Sequence, residues 1–111
     1  MSDLELLRGT LDLLILKALS GGPRHGLEVM RWIEQAARDR LQIEEGALYP
    51  ALHRLEGRDL LESVWGHTDA GRRAKYYRLT AVGRRHLTAE MTRWSRYAQT
   101  IRQILAAEMT P

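Results

Sequence analysis

Residues 44–61 read EEGALYPALHRLEGRDLL, and this stretch decides how the rest of the chain is arranged. Leu48, Leu52 and Leu55 recur at the spacing of an α-helix, so they form one apolar stripe that must face a core. Two glutamates precede the stripe, where the partial positive charge of a helix N-terminus favours negative side chains. Gly57 follows it, and glycine is typical of the position just past a helix end. The stretch therefore predicts one short helix with a single buried face.

The other face of this helix is polar, and a proline limits where the helix starts. Pro50 is tolerated only near the first turn of a helix or at a kink, so the helix is expected to begin at about Gly46 or Ala47. Three side chains that can form hydrogen bonds lie on or next to the outward face: Tyr49, His53 and Arg54. A short helix with such a surface fits the groove of a DNA duplex. We interpret it as a recognition helix that the rest of the chain holds in place.

The composition indicates one globular domain. The 111 residues are 44% apolar and 28% charged, which is typical of a globular chain. Cysteine is absent, which excludes disulfides and thiolate metal sites. The N-terminus has no signal-peptide pattern, and the longest apolar run, at residues 13–16, is far too short to span a bilayer. We expect a soluble, cytoplasmic protein that does not bind membranes.

The net charge of +3 hides an asymmetry along the chain. Up to Glu62 there are 8 basic and 11 acidic residues, whereas from Ser63 onward there are 9 basic and 3 acidic residues. A local positive field attracts phosphates, although a charge run by itself is more often a solvated face. The choice between the two interpretations depends on where the basic residues lie in the fold.

Two helices are predicted before the recognition helix. Residues 4–19 carry leucines on more than one face, so this helix should be buried from two directions, with a second subunit as the expected outer cover. Residues 20–23 break the helix, and a second helix is expected at about residues 25–38. His25, at its start, is interpreted as a capping or packing residue. Leu41 and Ile43 bridge this second helix to the recognition helix. These two short helices, joined by a tight segment and the second with a polar outer face, match the helix-turn-helix pattern.

A β-hairpin is predicted directly after the recognition helix. Its strand, turn and second strand are expected at residues 61–65, 66–71 and 72–79. The tip and the returning strand carry three cations: Arg72, Arg73 and Lys75. Cations also protect an exposed sheet edge, but three of them beside a glycine-containing tip exceed what protection needs. We interpret the hairpin as a wing whose cations contact the sugar-phosphate backbone.

The last helix is predicted to have Thr80 as its N-cap and to end at about Glu108. Its apolar residues are spaced alternately four and three apart, as in the seam of a coiled coil: Leu87, Met91, Trp94, Ala98, Ile101 and Leu105. A helix of roughly 28 residues is about 42 Å long, which is more than a small domain can cover. The seam therefore predicts a homodimer. The expected protein is mainly α with a small β-hairpin: a winged helix-turn-helix domain at residues 1–80 and a dimerisation helix at residues 81–111.

Together these segments resemble the PadR family of bacterial transcriptional regulators. The matching motifs are RGTL at residues 8–11, HG at 25–26, EGALYPALHRLE at 45–56 and GRRAKYYRLT at 71–80. The resemblance covers about residues 4–105, and the single C-terminal helix is similar to that of the short-form members. The family usually has Thr or Ser where this chain has Ala47, so a hydroxyl is missing at that position.

The resemblance implies a winged-helix dimer that binds double-stranded promoter DNA, usually as a repressor, and releases it when a signal arrives. We expect Tyr49 to offer its hydroxyl to a phosphate, with packing on the wing as the alternative. Arg54 is expected to pair with either a guanine or a phosphate, and His53 lies beside it. Ala47 and Ala51 are candidates for contact with a thymine methyl group.

Trp94 belongs to a Trp-Ser-Arg sequence that is similar to one in multidrug-responsive short-form relatives, where the tryptophan lines a drug-binding pore between subunits. Leu13 of the first helix is the expected wall of such a pocket. Two tryptophans that face each other across a two-fold axis can hold a flat aromatic effector between them. The alternative is that Trp94 is simply part of the dimer core.

An enzyme is not expected. The four histidines, at positions 25, 53, 67 and 86, are scattered and have no metal-ligand spacing. No phosphate loop, dinucleotide fingerprint or Ser-His-Asp order is present, so neither a catalytic site nor a cofactor is predicted. The main alternative is a winged helix used only as a protein-interaction module, which would not need a basic wing. A metal sensor is a weaker alternative.

Overall fold

The computed structural model describes residues 9–110, which form four helices around a small antiparallel sheet. In chain order the elements are helix α1 (Thr10–Ala18), strand β1 (Arg24–His25), helices α2 (Gly26–Ala36) and α3 (Glu45–Gly57), strands β2 (Leu61–His67) and β3 (Arg73–Leu79), and helix α4 (Ala81–Ala106). The predicted winged-helix fold is confirmed. The first helix was predicted to begin at residue 4. Residues 4–8 lie outside the described residues, and within the described residues the helix begins at Thr10.

The sheet has the strand order β1-β3-β2, with both pairs antiparallel. The predicted hairpin is confirmed, although its first strand extends two residues further, to His67. Gly71, with φ of +82°, supplies the left-handed backbone that the turn at the tip requires. Strand β1 was not predicted, because two residues are too few for an alternating pattern to be visible. Since β1 leads directly into α2, it ties the wing to the start of that helix.

His25 caps α2, as predicted. Its Nδ1 accepts a hydrogen bond from the backbone N–H of Glu28 at 3.3 Å, and the Glu28 carboxylate accepts one from the backbone N–H of His25 at 3.1 Å. This reciprocal capping box satisfies two N–H groups that the helix itself leaves free. The helix ends two residues earlier than predicted because Arg38 and Asp39 adopt φ values of +51° and +60°.

Helix α3 begins at Glu45, slightly earlier than predicted, so Pro50 lies inside its second turn. Gly57 was predicted to lie just past the helix end but is its last helical residue, and Asp59 adopts the left-handed conformation, with φ of +60°. The predicted apolar stripe is confirmed, because Leu48, Leu52 and Leu55 are fully buried.

The start of α4 is fixed against the loop that follows α3. The Thr80 hydroxyl accepts a hydrogen bond from the N–H of Gly83 at 2.9 Å, which confirms the predicted cap, and donates one to the carbonyl of Asp59 at 2.6 Å. The backbone N–H of Thr80 donates to the carbonyl of Leu60 at 3.1 Å. A Cβ at Gly83 would lie 2.0 Å from that same oxygen, so only glycine fits there.

Beyond its first turns, α4 projects from the rest of the chain. The radius of gyration is 16.4 Å, whereas a compact chain of this length has about 13 Å. Leu87 was predicted to lie in the dimer seam but is buried in the core of its own chain, in the same cluster as Ile15 and Leu16 of α1. The exposed apolar part of the seam therefore starts at Met91. No helix in residues 9–110 is long and apolar enough to cross a membrane.

Candidate nucleic-acid interface

Helix α3 presents three different surfaces to its surroundings. At 100° per residue, Gly46, Pro50 and His53 lie opposite the buried stripe, and all three are exposed. Ala51, which was expected near a thymine methyl group, is instead fully buried within the stripe, so that expectation is wrong. Ala47 is exposed and lies on the flank next to α1.

Tyr49 lies on the flank of α3 that faces the wing. Its ring packs against Gly26 so closely that a Cβ on Gly26 would lie 2.6 Å from a ring carbon. The side chain is nevertheless 43% exposed. The first residue of α2 thus fixes the ring of Tyr49 at the edge of the exposed face, where its hydroxyl can still hydrogen-bond.

Arg54 lies on the opposite flank and reaches across to α1. Its Nη2 donates to the Oδ1 of Asp12 at 3.1 Å, and the two residues are 42 positions apart in the chain. Asp12 was not predicted as a partner of Arg54, since no local sequence pattern connects the two helices. A single contact leaves the other donors of the guanidinium free, and the arginine side chain remains 59% exposed.

The register of β2 and β3 shows which side chains lie on the inner face of the wing, the face that looks towards α3. Leu61 pairs with Leu79 and Ser63 with Tyr77, next to the core; Trp65 pairs with Lys75 and His67 with Arg73, towards the tip. Because side chains alternate along a strand, these residues face the same side of the hairpin. The face therefore changes from apolar to cationic along its length.

Lys75 and Ser63 both contact Glu56 at the end of α3. The Lys75 Nζ lies 3.2 Å from Oε1 of Glu56, and the Ser63 hydroxyl donates to Oε2. The hydrogen bond from Ser63, followed by the proximity of Lys75, lowers the pKa of Glu56 below its ordinary value, so the carboxylate is ionised at neutral pH. The charge of Lys75, which was predicted to contact DNA, is therefore largely balanced within the chain.

Arg72 and Arg73 remain exposed at the start of β3, and no carboxylate in residues 9–110 pairs with either of them. The backbone N–H of Arg72 donates to the Thr68 hydroxyl at 3.2 Å, which helps to close the tip. The guanidinium of Arg73 lies over the indole of Trp65, 4.2 Å from the ring centroid. Of the three predicted wing cations, these two keep an unbalanced charge.

A cleft of about 410 Å³ lies between the inner face of the wing on one side and, on the other, the first residues of α2 and Tyr49 of α3. The side chains just described come together here, and the lining includes Gly26, Tyr49, Trp65, Arg72, Arg73 and Lys75. His53 and Arg54 do not line it. The cleft joins a hydroxyl, two free guanidinium groups and an aromatic ring, which is suitable chemistry for a sugar-phosphate backbone.

Comparison with known proteins identifies the family. The model of the transcriptional regulator PadR-like family matches residues 15–89, which include the recognition helix, the whole wing and the start of α4. The chain belongs to the PadR-like family of transcriptional regulators. These proteins regulate transcription and are not enzymes, in agreement with the sequence analysis.

The alignments of this PadR-family protein with its relatives cover most of this chain and most of each relative. A transcriptional regulator of Mycobacterium tuberculosis is 37% identical over 87 residues, which are 78% of this chain and 77% of the relative. Among solved structures, a transcriptional regulator from Clostridium thermocellum superposes with a TM-score of 0.78 at 29% identity, covering 86% and 90% of the two chains. A PadR family regulator from Clostridium difficile gives 0.76 at 29% identity, covering 88% and 100%.

A second cleft of the PadR-family protein, of about 450 Å³, lies between α1 and α4. Leu13 and Trp94, which the sequence analysis placed together, both line it. The ring of Trp94 lies 5.9 Å from that of Tyr97, measured between centroids, with 32° between the ring planes. The remaining lining is mixed: Gly9, Thr10, Glu90, Arg93 and Arg96.

Proposed function

We propose that this PadR-family protein is a homodimer that binds promoter DNA in the cytoplasm and represses transcription until a small planar effector binds. The observation that carries the proposal is the cleft between α3 and the wing, where Arg72 and Arg73 keep an unbalanced positive charge beside the exposed face of a recognition helix. In this arrangement α3 enters the major groove through its exposed face, and the wing contacts the neighbouring backbone.

The dimer is supported by the exposed apolar residues of α4. Met91, Trp94, Ile101 and Leu105 follow heptad spacing and are at least partly exposed, and Ala98 lies between them in the same seam. A seam of this kind is typically covered by a second copy of the same helix. Two recognition helices related by such a dimer are expected to enter successive major grooves about 34–36 Å apart.

The proposed effector site is the cleft between α1 and α4. Leu13 and the rings of Trp94 and Tyr97 offer apolar and aromatic surface, which suits a flat aromatic compound. Asp12, which holds Arg54 of the recognition helix, is the neighbour of Leu13 on the same helix. A ligand that shifts α1 would therefore also act on α3, which provides a physical route from effector binding to release of DNA.

Binding to the DNA upstream of its own gene tests this function. Affinity for that duplex should exceed affinity for a random duplex, and log Kd should change linearly with log salt concentration as counterions are released. If at low salt the purified protein has no higher affinity for duplex DNA than for a neutral polymer, the proposed DNA-binding function is wrong. The alternative of a protein-interaction module is then favoured.

The effector part needs a separate titration. Planar aromatic dyes should lower the affinity of the protein for DNA. Tyr97→Ala, which changes the lining of the cleft outside the dimer seam, should make the complex less sensitive to the dyes while leaving DNA binding intact. A response that is equal in the wild type and in Tyr97→Ala would show that the α1–α4 cleft is not the effector site.

A further inference from the structure

Trp65 is a large aromatic residue that the core does not explain. It lies two residues before the end of β2, on the inner face of the wing, and 57% of its surface is exposed. The core ends one pair earlier on this face, at Ser63 and Tyr77. More than half of the indole surface is left in solvent, and the residue lines the cleft beside α3.

The guanidinium of Arg73 packs over the face of the exposed indole of Trp65. The centre of that group lies 4.2 Å from the ring centroid, well within the distance at which a cation is attracted to an aromatic face. The two residues are diagonal neighbours across β2 and β3, because Trp65 pairs with Lys75 and Arg73 pairs with His67. The contact thus follows directly from the hairpin register.

An indole and a carboxylate that contact a cation differ in what they leave of its charge and of its N–H donors. The adjacent Lys75 is held by Glu56, whose negative charge balances that of the ammonium group. A carboxylate also occupies N–H donors, whereas a ring occupies only the face of a guanidinium and leaves the donors in its plane free. Trp65 therefore restrains Arg73 without removing either its charge or its hydrogen-bonding capacity.

We propose that Trp65 is a positioning residue for DNA binding, which orders the guanidinium of Arg73 for contact with a backbone phosphate. The proposal rests on the DNA-binding function argued above. The restraint lowers the conformational entropy that Arg73 loses when it binds, so the same phosphate contact becomes stronger. Because a phosphate contact is independent of base sequence, the contribution should be equal for specific and random duplexes.

The test compares Trp65→Leu, Trp65→Phe and Val64→Ala in DNA binding across a range of salt concentrations. Trp65→Leu removes the aromatic face and should weaken binding about three- to tenfold on both duplexes. Trp65→Phe keeps an aromatic face and should recover most of the loss. Val64→Ala is the matched control, because Val64 precedes Trp65 in the same strand, is 61% exposed and points to the other face. It should bind like the wild type.

A double-mutant cycle distinguishes positioning from direct contact. Once Arg73→Ala is present, adding Trp65→Leu should change the affinity by less than about twofold, since the positioned group is already missing. Additive effects would mean that the indole contacts DNA by itself and would overturn the positioning role, as would wild-type affinity for Trp65→Leu. Thermal unfolding checks that the variants fold, and if Trp65→Leu does not, Trp65→Thr, which also lacks an aromatic face and favours a strand, takes its place in the cycle. Failure of the wild-type protein to bind DNA would instead reject the underlying function.

Discussion

At the scale of single residues, Asp12 and Glu56 each hold a basic side chain that the sequence analysis had assigned to DNA. Asp12 contacts Arg54 from α1, and Glu56 contacts Lys75 from the end of α3. The cations in the cleft that remain without a carboxylate partner among the described residues are Arg72 and Arg73. Within this cleft, the unbalanced positive charge therefore lies at the tip of the wing.

Replacing Arg72 and Arg73 with alanine should weaken binding to all duplex sequences, because phosphate contacts carry no sequence information. The slope of log Kd against log salt should become shallower by about one for each phosphate that the variant no longer neutralises. Arg85→Ala, on the face of α4 opposite its apolar seam, removes an exposed charge outside the cleft and serves as the control. Unchanged affinity of the double variant at every salt concentration would show that the wing does not contact DNA.

Glu56 gives the fold a dependence on pH. The pKa of its carboxyl group is lowered from the ordinary value of 4.5, first by the hydrogen bond from Ser63 and also by Lys75. A carboxyl group whose pKa is lower in the folded chain stabilises the fold above pH 4.5, and this contribution is lost as the pH falls through the folded value.

Urea unfolding between pH 7 and pH 3 measures this contribution. Glu56→Gln should be less stable than the wild type at pH 7, and the difference should shrink once the pH falls below 4.5. Ser63→Ala removes the largest cause of the shift, so its pH dependence should be weaker than that of the wild type. A difference between the wild type and Glu56→Gln that stays constant over the whole range would contradict this assignment.

At the scale of elements, the junction between α3 and α4 keeps the recognition helix, the wing and the long helix in fixed relation. Gly83 allows α4 to approach the backbone of Leu60, and Thr80 hydrogen-bonds to the same loop. The loop leads directly from α3 into β2. The start of α4 is therefore in direct contact with the loop that joins both parts of the candidate DNA interface.

Gly83→Ala should lower the free energy of unfolding by about 1–3 kcal/mol or more, because the new Cβ would overlap the carbonyl of Leu60 and force α4 away. For a domain of this size, that corresponds to a fall in Tm of roughly 4–8 °C per kcal/mol. Gly57→Ala is the matched control, since it is the same change in a helix with nothing within 4 Å of the new Cβ. Equal stability of the two variants would show that the close approach at Gly83 is unimportant.

At the scale of the whole molecule, the chain is elongated, with a longest dimension of 66 Å, because the second half of α4 has no cover from its own chain. Three large apolar residues near its C-terminal end are exposed: Ile101, Ile104 and Leu105. Exposed apolar surface of this extent is uncommon on a monomer and typically marks an interface. We therefore expect the chain to exist as a dimer that pairs through α4.

Light scattering at micromolar concentration should give twice the chain mass of 12.8 kDa. Ile101→Glu places a charge in the seam and should shift the mass towards that of the monomer, whereas Gln103→Glu, on the opposite face, should leave the dimer intact. A stable monomer in the wild type would contradict the dimer.

Local patterns determined much of this protein from the sequence alone. The stripe of α3, the turn composition of the hairpin, the Thr80 cap and the family motifs depend on residues that are close together in the chain, so their spacing was sufficient to predict them. The comparisons confirm the family, and the described fold confirms the helix at α3 and the hairpin that follows it.

Tertiary structure alone decided which of the predicted side chains are free to contact DNA or a second chain. Leu87 has seam spacing, yet it is buried in the core cluster to which α1 contributes; Arg54 has an outward position, yet it contacts Asp12 from 42 residues earlier. The two-residue strand β1 exists only because β3 offers it a partner. In each case the deciding contact joins elements far apart in the chain, and such contacts depend on how those elements pack and not on the pattern within either of them.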